Sequence, residues 1–196
     1  MVSKIDTAWD LFLEGKTSEA KKLVEQDFSI DTCTDFSLLN LMGYLLLAEK
    51  DYASCTHIFE KYILLAQQNE DKENEHIGLH QLAMIYRDQG DFHKALKLIE
   101  DEEKIVEEYF PNDNLKKAVN NYEQGYVRFK LNNLDEALTF MNLSLEQSLE
   151  TDDVISQACS YRGLGEIYLA LEDTELSNRH FKRAIELFES VGEFEG

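Results

Sequence analysis

The stretch "AMIYRDQGDFHKAL", residues 83–96, shows a helical apolar pattern on both sides of Gly90-Asp91. Glycine readily adopts the left-handed conformation that ends a helix, and an aspartate side chain can cap the start of the next one. Two residues are too few for a flexible connection between domains. The stretch therefore predicts a tight helical hairpin, with one helix ending at Gly90 and the next beginning after Asp91.

The same pattern occurs five times along the chain. A small residue, Ala83, precedes a second one, Ala95, by 12 residues, and a large apolar residue, Ile99, follows four positions later. Small residues let two helix axes approach to about 8–10 Å, and a fixed offset at regular spacing indicates internal repeats. The other small pairs are Ala8 and Ala20, Gly43 and Cys55, Gly125 and Ala137, and Gly165 and Ser177, with Val24, Phe59, Met141 and Phe181 as the large residues.

The pattern predicts ten helices in a single domain over residues 1–196. The expected N-caps of the other second helices are Thr17, Asp51, Asn133 and Asp173, and Gly15 and Asn132 are expected to end first helices. "NEDKENE", residues 69–75, reads as one of the polar connectors. The predicted helices are 3–14 and 17–27, 35–49 and 52–69, 75–89 and 92–110, 115–131 and 134–149, and 153–171 and 174–190, which pair into hairpins over about 3–27, 35–69, 75–110, 115–149 and 153–190.

Two segments carry a resemblance to a known family. "LHQLAMIYRDQGDFHKALKLIEDEEKI" and "YRGLGEIYLALEDTELSNRHFKRAIELFE", residues 161–189, resemble tetratricopeptide (TPR) repeats. The resemblance implies an all-α, right-handed α-solenoid of five TPR-like hairpins. The spacing near 40 residues exceeds the usual value of about 34, and such long repeats are similar to those of bacterial signalling regulators.

The composition limits the classes of partner. The net charge is −20, from 39 acidic and 19 basic residues, and such a surface repels nucleic-acid phosphates and anionic lipids. We therefore expect no nucleic-acid partner and no membrane partner. The three cysteines form no CxxC pair, and the sequence shows neither a signal peptide nor an 18-residue apolar run. These features predict reduced thiols and a cytoplasmic location.

The sequence gives little support for catalysis or metal binding. "GLG", residues 163–165, follows a helical stretch instead of a strand, so it does not predict a nucleotide-binding loop. His76 and His80 have zinc-ligand spacing on one helix, but no third ligand is evident. We expect no enzyme activity, no cofactor and no metal.

The first helix of each hairpin presents one face that points away from its paired helix. It carries the residues three before, one after and four after the small residue, and the TPR resemblance implies that this face lines a peptide-binding groove. Its aromatic side chains can instead bury against neighbouring repeats. The five sets are Ile5, Trp9 and Phe12; Asn40, Tyr44 and Leu47; His80, Met84 and Arg87; Tyr122, Tyr126 and Phe129; and Arg162, Glu166 and Leu169.

The predicted site consists of eleven of these and adjacent residues. The cations Arg87, Lys130 and Arg162 favour a ligand that carries a carboxylate, unless they pair with neighbouring acids such as Asp88 or Glu166. The predicted peptide-binding residues are Asn40, Tyr44, His80, Met84, Arg87, Tyr122, Tyr126, Phe129, Lys130, Arg162 and Glu166.

Three functional hypotheses follow. The first is a non-enzymatic module that binds a protein or peptide. The alternatives are an intracellular signalling-peptide receptor or regulator that lacks a DNA-binding domain, and a homo-oligomerisation scaffold. The last helix retains an apolar stripe, Phe181, Ala184, Ile185 and Phe188, which the remaining "VGEFEG" is too short to cover. We therefore expect a monomer or a weak homodimer through the C-terminal repeat.

Overall fold

A computed structural model describes residues 3–192, which form ten α-helices and no strand. All predicted helices are present, and their ends agree with the prediction to within three residues. In chain order they are α1 Lys4–Leu13, α2 Thr17–Val24, α3 Phe36–Ala48, α4 Tyr52–Gln68, α5 Lys72–Asp88, α6 Phe92–Tyr109, α7 Asn114–Lys130, α8 Leu134–Leu149, α9 Val154–Ala170 and α10 Thr174–Ser190.

The helices divide between two compact units, Met1–Gly90 and Asp91–Gly196. In the first unit, α1 packs with α2 and α3 packs with α4, while α5 packs on α4. In the second unit, α6 packs on α7, the pairs α7/α8 and α9/α10 form hairpins, and α9 also contacts α7 and α8. The third predicted hairpin therefore has one helix in each unit. The prediction of one repeat domain over residues 1–196 stays a prediction.

The hairpin turns share one backbone geometry. In each of the five hairpins, the residue seven positions after the small residue of the first helix has a positive φ, and this conformation ends the first helix. The next residue is the N-cap of the second helix, and Asp51, Asp91 and Asp173 each accept a hydrogen bond from the backbone N–H three residues on. The predicted stops and aspartate caps are thus confirmed. The positive-φ residues are Gly15, Lys50, Gly90, Asn132 and Glu172, with φ of 77°, 60°, 78°, 62° and 62°.

Two cap predictions need correction. Thr17 is not the N-cap of α2: it is the first helical residue, and Lys16 is the N-cap without a side-chain capping bond. The reason is the fixed geometry of the turn, which places the cap eight residues after Ala8 whatever residue stands there. Asn133 does occupy the predicted N-cap of α8, but its side chain makes no capping hydrogen bond.

Two helix ends also differ from the prediction. α5 begins at Lys72 instead of 75, because the Asp71 carboxylate accepts a hydrogen bond of 3.0 Å from Asn74 N and caps the helix. Most of the predicted connector is therefore helical. α2 ends at Val24 instead of 27, since the Asp27 amide bonds to the Val24 carbonyl at 3.0 Å in a tighter three-residue turn.

Close helix packing occurs at the small residues, as predicted. A Cβ added at Gly125 would lie 3.1 Å from the Met141 backbone nitrogen and 3.2 Å from the Ala137 carbonyl oxygen, and one at Gly165 would lie 2.8 Å from the Phe181 ring. The second small residue can also contribute a hydrogen bond. Ser177 Oγ donates to the Gly165 carbonyl oxygen at 2.9 Å, so this position both allows close approach and joins the two helices.

Candidate functional site

In the first unit, the aromatic residues of the predicted groove pack on one another. Trp9, Phe12 and Tyr44 have ring centroids 5.7 to 6.0 Å apart, which is the range of favourable aromatic contacts. Trp9 Nε1 donates to Ser37 Oγ at 3.2 Å, and Gln81 Nε2 donates to the Tyr44 hydroxyl at 2.8 Å. These rings therefore join α1 to α3. Trp9 and Phe12 pack against the neighbouring repeat, which was the alternative to a role in the groove.

The other predicted residues of the first unit are Asn40, His80, Met84 and Arg87, all half-buried. The Asn40 Oδ1 atom is buried and makes no hydrogen bond within residues 3–192. Arg87 Nη2 lies 3.6 Å from Asp88 Oδ1. Arg87 therefore forms an ion pair with this neighbouring acid, which was the alternative to binding a ligand carboxylate.

In the second unit, four predicted residues form a connected row. Tyr122 and Tyr126 stack with ring centroids 6.3 Å apart. At one end Arg162 Nη2 donates to the Tyr122 hydroxyl at 3.3 Å, and at the other end Lys130 Nζ lies 4.9 Å from the Tyr126 ring centroid. A guanidinium and an ammonium thus flank a stacked tyrosine pair.

This row belongs to a surface of α7 and α9 that we call the α7/α9 face. Its tyrosines and Phe129 are half-buried and pack in part on a buried cluster that includes Met141 and Ile167. Each of these three rings therefore packs on the core with one part and is exposed to solvent with another. The face comprises Val119, Tyr122, Tyr126, Phe129 and Lys130 on α7, and Ile155, Cys159, Arg162 and Glu166 on α9.

Burial keeps the phenol of Tyr122 uncharged. Burial raises the pKa of Tyr122 to about 12, although the hydrogen bond from Arg162 acts in the opposite direction. The phenol therefore stays neutral at physiological pH and leaves the charge of the row to its two cations. A neutral ring flanked by cations suits a ligand that offers both apolar surface and negative charge.

A pocket of about 180 Å³ opens beside Tyr122, between α7 and α9. Val119, Ile155 and Cys159 contribute to its wall, and sequence analysis had missed all three. They lie one to two helical turns before Tyr122 and Arg162 in the sequence. Extending the helical period from these two residues towards the N-termini of α7 and α9 would therefore have identified them. The lining residues are Ala118, Val119, Tyr122, Glu123, Ser144, Ile155, Ser156 and Cys159.

A buried polar network lies elsewhere on α7. The Arg128 side chain is only 9% exposed, and its guanidinium donates to Glu136 at 2.9 Å, Glu100 at 3.1 Å and Gln124 Oε1 at 2.7 Å. Its central carbon also lies 4.2 Å from the Phe140 ring centroid. Because these partners come from α6, α7 and α8, Arg128 joins three helices and has a structural role.

His76 and His80 gain no third potential ligand from the fold of residues 3–192. His76 Nε2 lies 3.6 Å from Glu73 Oε1, and no group of three potential His, Cys, Asp or Glu ligands occurs between residues 3 and 192. Over the same range, none of the helices combines the length and the apolar character needed to cross a membrane.

The apolar stripe of the last helix mostly packs on its own hairpin. Ala184 and Phe188 are buried, and Phe181 lies over Gly165. Ile185 is 57% exposed. The prediction of a weak homodimer therefore depends chiefly on Ile185, and residues 193–196 of "VGEFEG" lie outside the described part of the chain.

Comparisons with known proteins support the sequence resemblance. Residues 113–190 and 78–101 match two family models, each described as tetratricopeptide repeat. The chain belongs to the tetratricopeptide repeat family. The TPR matches include α7 to α10 and hence the whole α7/α9 face. Comparison with curated protein sequences gives no match.

Solved structures share the TPR fold at low sequence identity. BtubC (BKLC) from P. vanneervenii matches with a TM-score of 0.75 and 16% identity, covering 96% of this chain and 80% of that one. A Podosopora anserina protein with nearly identical TPR-like repeats gives 0.72 and 14%, covering 97% and 96%. MamA from Desulfovibrio magneticus RS-1 gives 0.64 and 17%, covering 97% and 96%. The prediction of an all-α solenoid is confirmed.

TPR proteins generally act as scaffolds that bind other proteins and are generally not enzymes. The fold of this chain is accordingly that of a protein–protein interaction module.

Proposed function

We propose that this chain is a non-enzymatic module that binds a peptide or protein segment along the first helices of its repeats, with the α7/α9 face as the principal site. The segment carries at least one carboxylate. The proposed setting is the cytoplasm, where free thiols such as Cys33, Cys55 and Cys159 persist. Nucleic acids and membranes are poor partners for a chain of net charge −20.

The observation that supports this function most strongly is the tyrosine pair flanked by Arg162 and Lys130. The chain has only 19 basic residues against 39 acidic ones, yet two of its cations contact the same pair of rings. Lys130 is exposed, so its ammonium can meet a ligand from solution. A guanidinium offers five N–H donors, which lets Arg162 contact a phenol and a carboxylate at the same time.

The rings and the cations should make different contributions. An exposed ion pair contributes about 0.2–1 kcal/mol, whereas truncation of a central aromatic residue in an interface costs about 2 kcal/mol or more. Tyr122, Tyr126 and Phe129 should therefore supply most of the affinity. The cations should determine selectivity for acidic ligands and the dependence on salt.

Identification of a partner comes first. A lysate of the source organism is passed over immobilised wild-type protein and over the Tyr126→Ala variant in parallel, and proteins retained only by the wild type are identified. The interacting segment is then synthesised as a peptide and titrated by calorimetry at low and high salt.

Four variants distinguish a loss of binding at the α7/α9 face from the general effect of removing a tyrosine or a positive charge. Tyr126→Ala and Arg162→Ala alter the face. Tyr109→Ala removes a tyrosine that is 48% exposed on α6, and Arg179→Ala removes a cation whose side chain is 69% exposed on α10, so they are matched controls. We expect about tenfold or greater weakening for Tyr126→Ala, a smaller and salt-dependent loss for Arg162→Ala, and no change for the controls.

The proposal fails if Tyr126→Ala and Arg162→Ala both fold and both bind the segment as well as the wild type does. The ligand would then bind elsewhere on the chain. Weakening by Arg179→Ala to the same extent as by Arg162→Ala would instead indicate a general effect of charge.

A further inference from the structure

The pocket beside Tyr122 gives the proposed ligand a more specific chemistry. Its wall is largely apolar and includes Val119 of α7 and Ile155 of α9. Tyr122 both lines the pocket and accepts the hydrogen bond from Arg162. Ile155 is 47% exposed. The Ser144 hydroxyl at the wall is already bonded to the Ala118 carbonyl at 2.8 Å. An occupant therefore gains mainly from apolar contact and needs no polar group of its own.

The volume suits one side chain. A cavity of about 150 Å³ in a protein core accepts benzene, and this pocket measures about 180 Å³. Within residues 3–192, the wall contains the buried Glu123 and no lysine or arginine, so it offers no cation to hold a second carboxylate inside the pocket. An aliphatic side chain of the size of leucine fits both the volume and the charge.

The cations then set a spacing along the ligand. Cys159 in the pocket wall and Arg162 are three residues apart on α9, about 4.5 Å along the helix axis. Tyr122 and Lys130 are eight residues apart on α7, about 12 Å. An extended peptide advances about 3.3 Å per residue, and alternate side chains point to the same side. Positions two and four after the anchor lie about 6.6 Å and 13 Å along the ligand and therefore come nearest to Arg162 and Lys130.

We propose that the α7/α9 face recognises an internal acidic segment with an aliphatic residue in the pocket, an acidic residue two positions away on Arg162 and a second acidic residue two positions further on Lys130. This inference rests on the proposed function and adds a register to it. An internal segment, instead of a chain terminus, is favoured because the face continues beyond Arg162 across Tyr126 to Lys130. The ligand chain then passes over the tyrosine pair between its two acidic contacts.

The test uses synthetic peptides of defined register. The reference probe is acetyl-Leu-Ser-Asp-Ser-Glu-amide, titrated by calorimetry at low and high salt. Three further probes replace Leu by Ala, replace both acids by their amides, or exchange Asp with the preceding Ser so that the acid is out of register. A fourth has the reversed sequence and tests the opposite chain direction.

We expect the peptide with Ala to bind about 10- to 100-fold more weakly, which is the range expected for burial of one leucine side chain. The amide and out-of-register peptides should each bind up to several-fold more weakly at low salt, and this difference should shrink at high salt. If the reversed peptide is the tighter binder, the same three comparisons are made in that direction.

A chemical modification tests the pocket without altering folding. In a Cys33→Ser variant, benzyl methanethiosulfonate attaches a benzyl group to Cys159 after the protein has folded. Cys55 is buried and its pKa is raised to about 12, so it reacts poorly. The benzyl group should abolish the advantage of Leu over Ala, and dithiothreitol should restore it. The same treatment of a Cys33→Ser/Cys159→Ser variant should have no effect.

The outcomes separate this inference from the proposed function. Equal binding of the Leu and Ala peptides, with the acids still preferred over the amides, overturns the pocket assignment and leaves the carboxylate site. Equal binding of the in-register and out-of-register peptides overturns the spacing. Absence of binding by every probe at millimolar concentration overturns the inference, while the partner capture with Tyr126→Ala tests the proposed function separately.

Discussion

Arg128 should contribute more to stability than any exposed cation of the chain. Its side chain is 9% exposed, and its guanidinium contacts three polar side chains and lies over the Phe140 ring. Replacement by alanine removes all these interactions and leaves Gln124, which is fully buried, without the partner of its Oε1 atom. The effect of Arg128→Ala can be estimated one interaction at a time.

The unpaired Gln124 oxygen should cost about 1–3 kcal/mol. Loss of the stacked contact with Phe140 should cost about 2 kcal/mol, since this arginine is desolvated. The carboxylates of Glu100 and Glu136 are 45% and 58% exposed, so they can regain water, and each pair contributes about 0.2–1 kcal/mol. The expected loss for Arg128→Ala is the sum of these contributions, about 3–7 kcal/mol. Arg128→Met keeps much of the apolar contact and should lose about 2 kcal/mol.

Urea unfolding followed by far-UV circular dichroism measures both losses. Arg179→Met is the matched control, because its side chain is 69% exposed and its partner Glu175 is 88% exposed. The control should change the free energy of unfolding by less than about 0.5 kcal/mol. A loss below about 1 kcal/mol for Arg128→Ala, similar to the control, would refute a stabilising role of the network.

The pH dependence supplies a second test. The hydrogen bond from Arg128 lowers the pKa of Glu136. A carboxyl group whose pKa is lower in the folded state stabilises the fold above its unfolded pKa, and this contribution disappears as pH falls through the folded pKa. The difference in stability between wild type and Arg128→Met should therefore be largest near neutral pH and shrink in acid. A difference that grows in acid would contradict the assignment.

Three further predictions concern other parts of the chain. Gly125→Leu and Gly165→Leu should each reduce the free energy of unfolding by about 1–3 kcal/mol or more, with the larger loss at Gly125, where backbone atoms block the added side chain; unchanged melting temperatures in both would contradict the repeat register. Ile185→Glu should abolish any concentration-dependent increase in mass by light scattering, and a wild type that stays monomeric at high concentration would count against the C-terminal dimer. Because burial raises its pKa to about 12, Cys55 should resist iodoacetamide at pH 8 in the folded protein and react after unfolding in urea; rapid reaction of the folded chain would show that this thiol is accessible.

The sequence predicted the hairpins well because their packing depends on local spacing. Each first small residue determines the stop seven positions later and the cap eight positions later, and this rule is more reliable than the identity of the capping residue. Thr17 has a good capping side chain, but Lys16 occupies the position. The start of α5 was placed too late because the polar run after Gln68 resembled a connector, whereas Asp71 begins a helix within it.

The candidate site was predictable only in part. Tyr122, Tyr126 and Arg162 followed from helical periodicity on two successive first helices, and Lys130 was included because it is adjacent to Phe129 in the sequence. The Arg128 network was not predictable, because its contact with Glu100 joins residues 28 positions apart. An arginine on a helix has the same sequence signature whether it is solvated or buried.

The constant distance between paired small residues also bears on how this protein can change during evolution. Inserting one residue between Gly165 and Ser177 would rotate the second small residue by about 100° around its helix and remove its hydrogen bond to the Gly165 carbonyl. Insertions between hairpins meet no such constraint, and successive first small residues do lie 35, 40, 42 and 40 residues apart. Length can therefore vary outside the segment that joins two paired small residues but not inside it. The second helices accordingly range from 8 residues in α2 to 18 in α6, while the turn that precedes each of them can only be inherited whole.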